Sequence, residues 1–168
     1  MKKDTSIDLN EIRALLHENA ERRFIHPTHH EDMLRYYYLQ QGDMRAVDEA
    51  MRTLNASMQG TLSKDSLRNM KYLFVVTVAL AARFVVESGV PLEKSYAISD
   101  LYIQKMDLLG NESDIVQLVG ECYRDYVNAV REHKKSNNYS KPIMICLNYI
   151  ASHFNEKITL EMLSAKTQ

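Results

Sequence analysis

The feature that most constrains this chain is an apolar stretch at 63–88, SKDSLRNMKYLFVVTVALAARFVVES. From Tyr72 to Val86 only Thr77 and Arg83 break it. A helix with one apolar stripe sits on a surface, whereas a helix apolar on nearly every face is buried in a core or a membrane. A membrane span needs roughly 20 apolar residues with few charges. This run is shorter, contains Arg83, and is entered through Lys64, Asp65, Arg68 and Lys71. The expectation is a central helix wrapped by others, and no membrane. Ser63 is expected to cap its start, with Gly89 and Pro91 ending it. At a rise of ~1.5 Å per residue it spans roughly 39 Å, the width of a domain.

Arg83 follows as the first candidate residue. A buried, unpaired guanidinium is very costly. It is therefore expected either to pair inside the bundle with Asp100, on the next helix, or with Glu87 one turn on, or to snorkel to the surface. Exposure without a partner sinks the pairing.

The rest of the chain has helical period, punctuated by only five glycines and three prolines. A first helix is expected at 8–23, with Leu9, Ile12, Leu15 and Leu16 on one face. After Pro27, Thr28-His29-His30-Glu31 reads as a capping box opening a second helix through Leu39, stopped by Gly42. Tyr36, Tyr37 and Tyr38 cannot all face inward, so one at least is exposed or lines a cleft. A third helix at 44–59 carries the stripe Met44, Val47, Met51, Leu54, Met58. A fifth helix after Pro91 carries Tyr96, Ile98, Tyr102 and Ile103, with a bend near Ser99. A sixth presents Ile115, Leu118, Val119, Cys122, Tyr123, Tyr126, Val127 and Val130 on one broad face. It runs out in the polar 133–138, read as a linker. A short last unit follows. Ser140 is its N-cap, and Ile143, Leu147, Ile150 and Phe154 make one apolar face. Thr159 caps a final short helix from Leu160. No strand is required. The fold class is all-α, a multi-helix bundle around a central buried helix at about 63–88.

Charge and chemistry exclude several functions. The net charge is −1, which argues against a nucleic-acid binder that works by bulk charge. No secretory pattern follows Met1-Lys2-Lys3, so the three Asn-x-Ser triplets carry little meaning and a cytoplasmic place is expected. The two cysteines, Cys122 and Cys146, form no C-x-x-C pair and read as thiols in apolar helices. His17-Glu18-Asn19-Ala20-Glu21 begins like the zinc-protease H-E-x-x-H but ends in Glu21. His26, His29 and His30 match no metal-site spacing. No phosphate loop, nucleophile elbow or dinucleotide fingerprint is present. The chain is therefore not expected to be an enzyme, and no cofactor is expected. A metal-dependent enzyme built on His17 or His26 would have to show bound metal.

Resemblance adds a function. Tyr149, Ile150, His153 and Phe154, followed by Ile158, Thr159, Leu160, Glu161 and Leu163, resemble the opening of an AraC-type DNA-binding domain, which shows Y-I-x-x-H/N-F and then I-T-L-E-x-L-A. Ser164 stands where that pattern has Ala. Leu67-Arg68-Asn69 with Lys71, Arg83, Glu87, Gly89 and Ser99-Asp100-Leu101-Tyr102-Ile103 more loosely resemble the helical N-terminal region of some AraC-type regulators of Gram-positive bacteria. The resemblance implies a helical regulatory and dimerisation domain at 1–135, a linker at 136–141, and an incomplete helix-turn-helix domain at 142–168. The DNA-binding domain of that family has two helix-turn-helix units, each reading the major groove with a recognition helix. The chain is expected to stop in the second helix of the first unit, before a recognition helix. Thr159 and Lys166 could then contact phosphates at most, without specifying sequence. The resemblance implies DNA as a partner of the full-length protein but not of this piece. It also implies a homodimer and a small-molecule or peptide effector. The alternative is a helical module that binds a protein or small ligand and has no DNA role.

Overall fold

The computed structural model describes residues 6–21, 23, 26–55, 60–136, 141–153 and 155–167. Among them the chain is all-helical, and no strand occurs. The helices are α1 (Leu9–Glu21), α2 (His29–Gln41), α3 (Arg45–Asn55), α4 (Ser66–Glu87), α5 (Leu92–Asp107), α6 (Glu112–Ser136), α7 (Lys141–Ser152) and α8 (Leu160–Thr167). Helices α2 to α6 form the bundle: α4 and α6 each pack on α2, α3 and α5, and on each other. The buried apolar core runs from Tyr36 to Val130.

Local chemistry explains the element ends. The Thr28 hydroxyl accepts from the Glu31 amide at 3.3 Å, and the Glu31 carboxylate accepts from the Thr28 amide at 2.8 Å, so the expected capping box is complete. Gly42 ends α2 in the left-handed region at φ 72°, where a side chain is strained. Its carbonyl accepts from Arg131 Nε at 2.6 Å, which ties the α2–α3 corner to the far end of α6. The cap of α4 is a correction. Asp65, not Ser63, accepts from the Arg68 amide, at 2.7 Å. Ser63 instead accepts from the Asp65 amide at 3.2 Å and so steadies the capping residue. A carboxylate also suits the positive end of a helix better than a hydroxyl does.

Helix α4 is the one helix among the described residues long and apolar enough to cross a membrane by length and composition. Here it is a bundle helix. Leu73, Phe74, Thr77, Val78, Ala81, Ala82 and Val85 are buried. It is not covered all round, however. Tyr72, Val76, Leu80 and Arg83, spaced at turns of the helix, remain exposed. Helix α6 buries more of itself than α4, from Ile115 to Val130, and shares the centre of the bundle. Its Gly120 makes room for α3. A Cβ there would stand 2.7 Å from Met51 Sδ and 3.7 Å from Val47 Cγ1.

The α5 face also differs from expectation. The buried stripe is Ser95, Ser99, Tyr102 and Met106, while Tyr96 is exposed. Serines look like surface residues in a sequence. Here Ser95 Oγ donates to the Ala82 carbonyl at 2.8 Å, so its hydroxyl is paired and its small size lets α5 approach α4. The helix runs unbroken through Ser99.

At its C-terminal end α6 continues through His133, Lys134, Lys135 and Ser136, part of the polar stretch expected to be a linker. Cations in the last turn suit the negative end of the helix, and Ser136 Oγ donates to the His133 carbonyl at 2.8 Å. Residues 137–140, including the expected cap Ser140, lie outside the described residues, as do Met58, Gln59 and Phe154. No residue of α1 is buried; Leu9, Ile12, Leu15 and Leu16 are exposed. Of the three adjacent tyrosines, Tyr36 is buried, Tyr38 half-buried and Tyr37 exposed, because successive helical residues point about 100° apart.

Candidate functional site

Two places concentrate polar chemistry. The first is the α7–α8 pair. Helix α7 closes with His153: its amide donates to the Tyr149 carbonyl at 3.1 Å, and its ring stacks on Tyr149 with centroids 4.1 Å apart. Thr159 then caps α8, as expected, accepting from the Met162 amide at 3.4 Å. The adjacent Glu161 carboxyl is held below the usual carboxylate range by its own amide and by the Thr159 hydroxyl. Lys166 Nζ sits 5.3 Å from the centre of the Tyr149 ring, a cation over an aromatic face. Thr159 and Lys166 thus stand at opposite ends of α8, roughly 10 Å apart along its axis. Each is already engaged within the pair.

The two helices pack on each other. Their apolar positions Ile143, Leu147, Ile150, Leu160 and Met162 remain exposed, Leu160 at 81%. Helix α7 faces the bundle across a cleft lined by Val90, Pro91, Lys94, Glu132, His133 and Leu147. The Lys94–Glu132 ion pair, 2.8 Å, spans α5 and α6 at its edge.

The second place lies inside the bundle. Arg35, on α2, is only 4% exposed. Its Nη2 meets Asp32 Oδ1 at 2.8 Å and donates to the Tyr36 hydroxyl at 3.0 Å. The guanidinium lies 4.6 Å from the centre of the Tyr36 ring, which in turn stacks on Phe84 at 4.6 Å. Nε and Nη1 of Arg35 make no hydrogen bond among the described residues, nor does the hydroxyl of the fully buried Tyr123 on α6. Burial pushes the Tyr36 phenol up, with Arg35 opposing. Burial likewise pushes Tyr123 well up, reinforced by Tyr36 and opposed by Arg35.

The expected buried pair is corrected. Arg83 is exposed on the open stripe of α4, and its Nη1 donates to the Ala79 carbonyl at 2.6 Å. Asp100 is exposed on α5, and Glu87 accepts from Gln40 at 3.1 Å instead. The long side chain reaches water from its helix face, which costs far less than burying its charge. The buried arginine is Arg35. Its sequence carries a faint sign of this: it precedes the core residue Leu39 by one turn and follows Asp32 by three residues, a spacing that pairs charges on a helix.

Neither histidine group forms a metal centre among the described residues. His17 Nδ1 lies 3.5 Å from Glu21 Oε1 on an exposed face, and no three His, Cys, Asp or Glu side chains gather. Cys122 is buried and Cys146 half-buried, both as free thiols; burial pushes the Cys122 thiol well up. Comparison of the chain with protein-family models, with curated proteins and with solved structures finds no match.

Proposed function

We propose that this chain is the regulatory part of an AraC-type transcription factor, with the bundle sensing an effector and α7–α8 opening the DNA-binding domain. The observation that carries the reading is the α7–α8 pair. It combines a helix ending in the stacked Tyr149 and His153, a turn, and a helix capped by Thr159 with Glu161 in its first turn. These are the positions on which the resemblance rests. The open apolar positions of α7 and α8 support it as well, since further helices of such a domain would cover them. The full-length protein would bind DNA in the cytoplasm as a homodimer. An effector would act by changing how α7 is held against the cleft at Lys94, Glu132 and His133. The reading assigns binding, not catalysis, to the chain.

The test is the natural reading frame after codon 168. A continuation that supplies a recognition helix and a second helix-turn-helix unit supports the regulator. A natural stop there replaces it with a helical binding module. This chain alone should bind DNA without sequence preference, if at all, because its phosphate-facing candidates are Thr159 and Lys166 and its net charge is −1. Fluorescence anisotropy with unrelated duplexes measures that. Light scattering after gel filtration tests the homodimer, and a strictly monomeric protein at high concentration removes it.

A further inference from the structure

We infer that the outward stripe of α4 is a self-complementary surface, which pairs antiparallel with α4 of a second copy of this chain. It rests on the regulator reading for the homodimer and gives that homodimer its contact. The chemistry of the stripe is the same in a chain with no DNA role.

A single exposed apolar side chain is ordinary on a protein surface, but a continuous row is not. Along α4 the exposed positions Arg68, Tyr72, Val76, Leu80, Arg83 and Glu87 follow one another at three or four residues, so they form one ridge. Its middle is apolar: Tyr72 is 47% exposed, Val76 50% and Leu80 38%. Its charges stand towards the ends, Arg68 at one, Arg83 and Glu87 at the other. The ridge runs roughly 30 Å. A stable interface takes about 800 Å² from each partner, more than one helix ridge offers, so its borders matter. On one side Gln40 of α2 donates to Glu87 at 3.1 Å, and Tyr37, one turn before Gln40, is 55% exposed. On the other, Ser95 of α5 donates to the Ala82 carbonyl, and the adjacent Tyr96 is 38% exposed.

The order of residues along the ridge selects the occupant. The midpoints of Val76 and Leu80, of Tyr72 and Arg83, and of Arg68 and Glu87 all fall at 77–78. A two-fold axis through that point lays a second α4 antiparallel on the first, and every pair is then made twice, once from each copy. Val76 meets Leu80 of the copy. The Arg83 guanidinium is laid back along the ridge by its bond to the Ala79 carbonyl at 2.6 Å. It meets the Tyr72 ring of the copy, a cation on an aromatic face. Arg68 meets Glu87 of the copy as an ion pair at the rim. A parallel pair would instead set Arg68, Arg83 and Glu87 each against its own like charge. A lipid surface would gain nothing from Glu87 or from the symmetry of the spacing.

The test measures self-association of the whole chain by sedimentation equilibrium. The expected result is a reversible dimer. Leu80→Glu sets unpaired carboxylates at the centre of the contact and abolishes it. Arg68→Glu and Glu87→Arg each bring like charges face to face twice over and raise the dimer Kd about tenfold, and the double reversal returns it to near its original value. Arg68 and Glu87 are both exposed, so the reversals keep the fold, which circular dichroism checks. A chain that stays monomeric at high concentration overturns the surface and the homodimer together. A dimer indifferent to Leu80→Glu and to the single reversals overturns the surface and leaves the homodimer to another face. Loss with Leu80→Glu but no rescue by the double reversal overturns the antiparallel register. Flotation of the monomer with phosphatidylcholine vesicles, lost in Leu80→Glu, gives the stripe to a lipid surface and overturns the proposal equally. The reading frame after codon 168 decides the regulator separately from all of these.

Discussion

At the residue scale, the informative positions are those where a side chain was expected to do one job and does another. Ser63 and Asp65 both fit the start of α4 by type. The structure gives the amide-accepting role to Asp65 and leaves Ser63 behind it. Asp65→Ala should therefore cost about 1 kcal/mol, and Ser63→Ala clearly less. Urea denaturation of the two variants compares them directly, and equal costs would restore the serine cap. Tyr123 makes a second case. Its hydroxyl is buried with no partner in hydrogen-bond geometry, so Tyr123→Phe should leave the stability of the chain unchanged or raise it, within about 1 kcal/mol. A loss of several kcal/mol would show that the hydroxyl has a partner in the folded protein. The contrast between Arg83 and Arg35 teaches the same lesson. Arg83 stands in the most apolar run of the chain yet reaches solvent, while Arg35 stands in a polar run yet is buried. The identity of neighbours in sequence says little about burial of a long side chain, because helix phase and the packing of other helices decide it.

At the element scale, the corner between α2 and α3 is the most tightly specified junction. Gly42 adopts φ 72°, and a Cβ there would lie 3.1 Å from Arg131 Cγ. Gly42→Ala combines left-handed strain with a close contact to the residue that donates to the Gly42 carbonyl. It should destabilise the chain by about 1–2 kcal/mol, read as a lower urea midpoint with an unchanged slope. Of the elements themselves, α6 was fully legible. Its expected face is the buried face, with Leu118 alone only half-buried, because a long helix with an apolar residue at every turn has one way to pack. Helix α5 was legible as a helix but not in phase. Its inward stripe is Ser95, Ser99, Tyr102 and Met106, and buried serines leave no apolar trace.

At the scale of the whole molecule, the core is unusual for its buried tyrosines. Tyr36, Tyr123 and Tyr126 are among its largest fully buried side chains, and Tyr102 donates to Asp125 at 2.7 Å. Burial raises the pKa of all four, with the Asp125 hydrogen bond and charge adding to the shift at Tyr102. Each folded-state pKa lies above the unfolded value of about 10. Their contribution is thus fully present below pH 10, and stability falls as the pH rises beyond it, because the unfolded chain loses protons that the folded chain keeps. Absorbance titration of the phenols should show these four of the ten tyrosines ionising late, together with unfolding. Simple titration of all ten near pH 10 would contradict the buried cluster.

What the sequence determined by itself is the helical class, the order of the helices, the Thr28–Glu31 box, the Gly42 stop, the inward face of α6 and the Thr159 cap. These depend on residues three or four apart, and such distances are set by the helix alone. Tertiary structure decided the rest. It opened one stripe of the apolar run at 63–88, turned α5 onto its serines, left the α1 stripe uncovered, and brought the adjacent Arg35 and Tyr36 of α2 within the field of Tyr123 on α6. Those outcomes depend on which helices become neighbours, and residues nearly ninety positions apart carry no local sign of meeting.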